Sequence, residues 1–408
     1  MPSPAPHLPG PPTPRPEQPD VLILGGGVAG LMCLDALARA GYHTLLLEHH
    51  ALGAGQTVWS QGIIHSGLKY TLSGGLTDAA RAIRDMPARW ARCLAGDDAP
   101  DLTTARVLSP HCVLWRTGSL TSRLGMFGAR AGLRVKPAAL APDDRPPVLA
   151  RCPDAARLDE PVVDPASVVA ALARPHAARI RRGSLDDARA AHLTPRLTLL
   201  AAGAGNAPLR AELGLPDHAQ QIRPLRMILA RAAPGAEPLP PLFGHCVDAA
   251  HTRVTITSHP LDDSDTNWVW QVGGQLAEDG PALDPGEHLR LAARELAHSI
   301  PGLDPGRLEL AAYDAPRAEP RTRAGKRPDD AALLTDGDVF TAWPVKLALA
   351  PLLADRAVRA THAALGPPPS PPPPAATDPR PIPAAFVALP APPLADPPWR
   401  HTDWTRPN

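Results

Sequence analysis

The stretch Val21 to Glu48, VLILGGGVAGLMCLDALARAGYHTLLLE, constrains this chain more than any other. Four apolar residues, Val21 to Leu24, are short and continuous, as in a parallel strand buried on both faces. Gly25, Gly27 and Gly30 follow as G-x-G-x-x-G. The pattern then turns helical through Leu31, Leu34 and Leu37 and stops at Gly41, a residue suited to the left-handed position after a helix. A second apolar strand, Thr44 to Leu47, ends at Glu48. The first glycine suits a tight turn, the second a close approach to a diphosphate, and the third close packing of helix on strand. The helix start offers unpaired N–H groups and a positive dipole end. Glu48 falls 18 positions after Gly30, near the spacing of about 20 for an acid that binds a ribose. Strand, turn, helix, strand and acid together predict a dinucleotide site.

Residues 49–75 stay irregular and polar instead of entering another crossover. Gln56, Thr57, Ser60, Gln61 and Gly62 can run along an extended cofactor, while Ile63, Ile64 and Leu68 predict burial. A later apolar strand, Leu197 to Leu200, runs into Ala201-Ala202-Gly203-Ala204-Gly205-Asn206. Only small residues let a backbone pass close to a ligand or helix.

Several function classes are disfavoured by composition. The 408 residues hold 41 acidic and 41 basic side chains, so no charge imbalance points to nucleic acid or an anionic membrane. Five dispersed cysteines without a C-x-x-C predict reduced thiols, no zinc or other metal site, and a cytoplasmic setting. The proline-rich start has neither the basic nor the apolar region of a signal peptide. No apolar run is long enough to span a bilayer.

Elsewhere the pattern predicts a helix over Leu76 to Leu94, kinked at Pro87, and short strands at Val107–Leu108 and Val113–Trp115. Pro165 suits a helix start, and Ile180 a strand core. Strands within residues 222–276 alternate apolar with polar, as in a half-exposed antiparallel sheet. A helix is predicted over Glu287 to Ile300, a strand over Val339 to Ala342, and a helix over Val345 to Val358 interrupted by Pro351. Gly273-Gly274-Gln275 reads as a hairpin turn or a pocket edge. Residues 366–400 are dense in proline and read as disordered or loosely attached.

On these motifs the chain resembles FAD-dependent oxidoreductases of the D-amino-acid oxidase superfamily. SQGIIHSGLKY, Ser60 to Tyr70, is similar to a loop of FAD glycerol-3-phosphate and L-2-hydroxyglutarate dehydrogenases. PVKLALAPLLAD, Pro344 to Asp355, resembles the C-terminal FAD segment of that group, and AAGAGN its central turn. Many relatives carry a Gly-rich turn where this chain has Trp343-Pro344. The resemblance implies an α/β protein: a Rossmann-like FAD-binding domain with a three-layer parallel sheet, and an inserted mixed or antiparallel β-sheet substrate domain. The expected segments are a disordered arm (1–19), FAD-binding parts at 20–100, 151–215 and 311–365, substrate-domain parts at 101–150 and 216–310, and a tail at 366–408.

The cofactor implied is FAD. Gly25, Gly27, Val28, Ala29 and Gly30 would hold its diphosphate, and Glu48 with His49 the adenosine end. Gln56, Thr57, Ser60, Gln61 and Gly62 would run towards the flavin, joined by Ala202, Gly203, Lys346 and Leu347. The reaction implied is two-electron, hydride oxidation at flavin N5 of a small hydroxy acid, polyol phosphate or amine. A base must take the O–H or N–H proton. His65 is the candidate, because imidazole titrates near neutrality; the other reading is a buried, satisfied histidine. Lys346 would place positive charge near the flavin, or be a surface lysine. Arg317 would anchor an anionic group bidentately, in competition with Arg321, Arg323 and Arg327. Lys69 and Tyr70 read as a solvated lysine and a packed tyrosine. The electron acceptor is left open among oxygen, a quinone and a carrier protein. The rival readings are a flavin monooxygenase or flavin-dependent RNA-modification enzyme, and a non-catalytic FAD-binding scaffold.

Overall fold

The computed structural model describes residues 18–66, 78–118, 138–248, 251–262, 266–323, 325, 327–368 and 380–407. The chain forms β1 (Val21–Leu24), α1 (Val28–Arg39) and β2 (Thr44–Glu48) as its first unit. Both strands run parallel, in register from Val21 opposite Thr44 to Leu24 opposite Leu47. Gly41 takes φ +97 after α1, the left-handed turn the sequence predicts there. The sheet grows outward to β8 (Ile180–Arg182) on one side. On the other it adds β9 (Leu197–Leu200), β18 (Val339–Trp343) and β17 (Ala332–Asp336). All pairs are parallel except the β17–β18 edge.

Continuous apolar strands are explained by layers on both faces. Val21, Ile23 and Leu46 pack into one core with Leu31, Leu34 and Leu37 of α1 and Leu353 of a later helix, Ala350–Leu365. Leu22, Leu24, Leu45 and Leu47 point the other way, onto Leu185, Leu193 and Phe386. Three layers therefore follow from one strand sequence.

A second, eight-stranded sheet has the order β15-β11-β14-β13-β12-β4-β6-β5, its far edge being β5 (Ala138–Ala139). Its central strands are β11 (Arg226–Ala232), β12 (Gly244–Asp248), β13 (His251–Pro260) and β14 (Trp268–Gly273), with β4 (Cys112–Arg116) parallel to β12 and β15 (Leu308–Asp314) at one edge. The sheet is mixed, as expected. It includes β6 (Asp154–Leu158), so the inserted sheet reaches past residue 150. One face packs Val254, Ile256 and Trp270 onto Ala292 and Leu296 of the helix Pro285–Ser299. The opposite face is polar yet also buried: Thr255, Thr257 and Gln271 are at most 7% exposed. This corrects the half-exposed reading, because alternation marks a polar face without telling solvent from an enclosed site.

Other corrections are local. The helix expected from Val345 begins with a tight turn at Leu347–Leu349 and runs from Ala350 to Leu365. Pro351 sits in its first turn, where the missing N–H has no helical partner to lose, so it starts the helix instead of interrupting it. Gly273-Gly274 leads into a short helix, Gln275–Asp279, with Gln275 exposed and bonded to Asp279. The helix containing Pro87 spans Asp78–Ala95. Leu68, Lys69 and Tyr70 lie outside the described residues, as does the N-terminal arm up to residue 17.

The tail is also bound more closely than its proline content suggests. Arg182 N–H donates to Pro390 O at 2.7 Å, and Leu52 exchanges backbone bonds with Pro393 and Ala395. Thr405 does the same with Leu310 of the second sheet. Trp399 stacks on His259, and Arg231 lies over Trp404. Proline removes donors but leaves carbonyls, so such a strap can still bond along an edge. Its anchor is Phe386, fully buried against the first sheet. Phe386→Ala is expected to lower unfolding stability by about 3–5 kcal/mol. Urea denaturation checks this; a loss under about 1 kcal/mol would mean the strap does not hold the fold together.

Candidate functional site

Helix α1 has Gly27 before its first residue and no side-chain cap of its own. Its first intrahelical bond runs from Leu31 N–H to Gly27 O, so the amides of Ala29 and Gly30 are not used inside the helix. Thr57 Oγ1 accepts from Val28 N–H at 3.1 Å, fixing the irregular loop against the turn. A Cβ on Gly30 would stand 1.9 Å from Gly25 O, so the helix and the first strand touch backbone to backbone. Glu48 Oε2 accepts from Gly26 N–H at 2.6 Å and Oε1 from His50 N–H at 2.8 Å. Each oxygen keeps a free lone pair for a hydroxyl.

A cavity of about 700 Å³ opens from this turn. Gly25, Gly27, Val28, Ala29, Glu48 and His49 line one part of it. Gln56, Thr57 and Ser60 line it along the loop, and Ala202, Gly203, Arg317, Lys346 and Leu347 elsewhere. Gly30 is absent from the lining because it faces Gly25. Asn206 holds the second turn closed, accepting from Ala202 N–H at 2.8 Å and donating to Ala342 O at 3.2 Å.

A smaller cavity of about 170 Å³ adjoins it, sharing Ser60, Arg317, Val345, Lys346 and Leu347. Gln61, Gly62 and His65 line only this one. Gln61 is a tie between domains: its amide donates to Thr255 O and Gln271 O, both at 2.9 Å. Gln56 ties in the same way, accepting from Ala318 N–H at 2.9 Å. Val345 takes φ +64 at the mouth between the cavities. A β-branched residue is strained there, by about 1–3 kcal/mol, and such strain collects at functional sites.

The four competing arginines separate by position. Arg321 and Arg323 are exposed and line neither cavity. Arg327 reaches the small cavity from an exposed position. Arg317 lines both, and its guanidinium has no hydrogen-bond or ion-pair partner among the described residues. Burial, followed by the nearby charges of Arg327 and Arg223, pushes its pKa down to about 10. Arg223, by contrast, is paired with Glu319 and Glu278.

Two residues of the small cavity were not legible in the sequence. Glu160, 1% exposed, stands between His65 and His245. His65 Nδ1 lies 3.3 Å and His245 Nε2 3.6 Å from its Oε2. Its Oε1 accepts from Ser66 N–H at 2.8 Å and from Ser66 Oγ–H at 2.6 Å. Burial raises the carboxyl, but the two histidines facing it outweigh that and hold it well below its usual range. Burial lowers His65, against the opposing effect of Glu160. Glu160 is therefore a carboxylate and His65 neutral at pH 7. Glu160 follows β6 and His245 sits on β12, so no local spacing joins either to His65; a lone acid beside Val162–Val163 and a lone histidine in a buried strand were the available signals.

The turn, the unused amides and the long cavity are the fittings of a bound dinucleotide. A family model described as FAD dependent oxidoreductase, DAO, matches residues 20–344. The chain belongs to this family. A probable FAD-dependent oxidoreductase of Pseudomonas aeruginosa, PA4991, is 40% identical over 398 residues, which span 93% of this chain and 97% of that protein. Its crystal structure superposes with a TM-score of 0.73 over 95% of this chain and 99% of that one, at 36% identity. An FAD-bound L-α-glycerophosphate oxidase from Mycoplasma pneumoniae gives a TM-score of 0.61 at 15% identity, over 84% of this chain and 94% of that one. Glycine oxidase from Geobacillus kaustophilus gives 0.57 at 16% identity, over 83% and 95%. The last two show a shared fold. This member of the DAO family is thus an FAD-dependent oxidoreductase with no helix, among the described residues, long and apolar enough to cross a membrane.

Proposed function

We propose that the chain oxidises a small anionic substrate, a hydroxy acid, polyol phosphate or amino acid, by removing a hydride from carbon and a proton from the attached O–H or N–H. The observation that carries this is the small cavity beside the large one, with the Arg317 guanidinium, unpaired among the described residues, and the His65 imidazole on its walls. Bound FAD supplies the two-electron acceptor. Gly25 to Ala29 with Glu48 would hold its diphosphate and ribose, and the loop from Gln56 to Ser60 would lie beside the rest. Arg317 takes the substrate's carboxylate or phosphate in a forked pair. His65 Nε2 accepts the proton, leaving a carbonyl or imine product. Lys346 brings positive charge to the junction of the cavities. An anaerobic screen of 2-hydroxy acids, amino acids and glycerol phosphates, followed by bleaching of the flavin absorbance, tests the reading. Bleaching by none of these classes would overturn it.

A pH dependence follows. His65 is active as a base only when neutral, and its pKa lies below the ordinary 6.5. The groups facing it are Glu160, His245 and Lys346, with Cys112 behind Glu160. The rate of flavin reduction is expected to hold steady from pH 8 down to about 6.5 and fall below it. An acid limb centred above pH 7 would contradict the assignment.

A further inference from the structure

Two histidines share one carboxylate oxygen in the small cavity, and they use opposite ring nitrogens to do so. His65 presents Nδ1 to Glu160, and its Nε2 has no protein partner among the described residues. His245 presents Nε2 to the same oxygen, while its Nδ1 lies 3.0 Å from Thr255 Oγ1. An ionised carboxylate only accepts, so His65 Nδ1, within hydrogen-bond distance, must carry a proton, and His245 Nε2, at 3.6 Å, would meet repulsion there unless it carried one too. His65 is then the Nδ1–H tautomer, with its lone pair on Nε2. His245 is the Nε2–H tautomer, with Nδ1 accepting from the Thr255 hydroxyl. Both nitrogens of His245 are committed; only His65 keeps one for a ligand.

We propose that Glu160 is a positioning residue that fixes His65 in the Nδ1–H tautomer, with His245 as the second donor that keeps Glu160 ionised. The proposal rests on the reading of His65 as proton acceptor and extends it to how that acceptor is prepared. A neutral imidazole offers one lone pair, and the wrong tautomer would point an N–H at the substrate proton. As His65 takes the proton it becomes cationic, and Glu160, already negative beside it, stabilises that charge without moving. Ser66 pins the other oxygen through its N–H and hydroxyl, so the carboxylate cannot rotate away.

These three side chains also have the donor types of a metal site, and their ligand atoms lie within 4.8 Å of one another. The carboxylate, however, already accepts two hydrogen bonds from Ser66 and, with His65 as the Nδ1–H tautomer, a third from that ring, while His245 stands 3.6 Å away. That complement suits an anion without a metal.

The test is read on the FAD-bound protein before any substrate is added, so it stands or falls separately from the substrate screen. Histidine labelled with ¹⁵N gives each ring's tautomer by two-bond ¹H–¹⁵N correlation, with His65 and His245 assigned by loss of their signals in His65→Asn and His245→Asn. At pH 8 His65 is expected as Nδ1–H and His245 as Nε2–H. Glu160→Gln keeps shape and an oxygen for Ser66, but turns an amide N–H towards the two rings. Both tautomers are then expected to invert. Flavin reduction by a substrate from the screen should fall by about 10²–10⁴-fold, with substrate affinity little changed because Arg317 is intact. Glu160→Asp, which restores the charge, should recover part of the rate. A residue that merely fills space would leave both tautomers and the rate as they were in the glutamine variant. His65 found as Nε2–H or doubly protonated at pH 8 would overturn the proposal. So would one equivalent of zinc, retained by the wild-type protein and lost in Glu160→Gln. If Glu160→Gln does not fold, the wild-type tautomers alone decide.

Discussion

Gly30→Ala is expected to give a protein that purifies colourless and binds added FAD at least about 100-fold more weakly. The added methyl would stand 1.9 Å from Gly25 O and 3.1 Å from Gly25 C, both main-chain atoms, and 3.3 Å from Ile23 Cγ2. No side-chain rotation relieves such a contact; helix α1 must back away from β1 by more than 1 Å. Overpacking of this kind costs about 1–3 kcal/mol in stability. The larger effect falls on the cofactor, because the same movement carries the Ala29 and Gly30 amides away from the turn that places them. Charge-assisted bonds to a phosphate fade steeply with misplacement. Gly118→Ala is the control: its Cβ would meet nothing within 4 Å among the described residues, and its backbone is not in the left-handed region. The ratio of flavin to protein absorbance measures retention, and circular dichroism separates loss of cofactor from loss of fold. A Gly30→Ala protein as yellow as wild type would remove the glycine turn from the cofactor site.

What the sequence reveals here, and what it hides, follows from the range of each interaction. The β1–α1–β2 unit is legible because strand, turn and helix are contiguous and each leaves its own periodicity. The strand Leu197–Leu200 and its Ala-Gly turn are legible for the same reason. Glu160 and His245 are not, because the contact that gives each its meaning joins segments about 85 to 95 residues apart, and the spacing along the chain carries no trace of it. The polar face of β13 and β14 was visible as alternation, but the same pattern describes a face on solvent and a face on a pocket. Proline content alone predicts a loose tail, yet over residues 380–407 one buried Phe386 outweighs many prolines once a groove exists to receive it. Thr57 bonds Val28 N–H from 29 residues further on, so its contact with the turn is set by the fold of the loop and not by local spacing. Gln61 and Gln56 line the cavities and also make hydrogen bonds to the second sheet and to Ala318, which glutamine's length permits and its position in the sequence does not announce.

Arg317→Met is expected to split stability from activity in opposite directions. In the substrate-free protein the guanidinium is half-buried between the two cavities, with two other cations, Arg327 and Arg223, acting on it and no partner of its own among the described residues. Holding an unpaired charge away from water is unfavourable, and an apolar side chain of similar length removes that burden. The variant should therefore be more stable to urea by about 1–3 kcal/mol at equal FAD content. Substrate recognition should move the other way. A forked pair to a carboxylate is worth several kcal/mol when desolvated, so kcat/KM should drop by about 10²–10³-fold. Arg317→Lys keeps a charge but not the planar fork and should recover only part of this. Arg321→Met and Arg323→Met, which change exposed residues outside both cavities, should leave kcat/KM within about twofold. The pairing of a gain in stability with a loss of activity is the signature, since a residue that only braces the fold would lose both. An Arg317→Met enzyme that unfolds at lower urea and keeps its kcat/KM would transfer the anchoring role to Arg327, which also lines the small cavity.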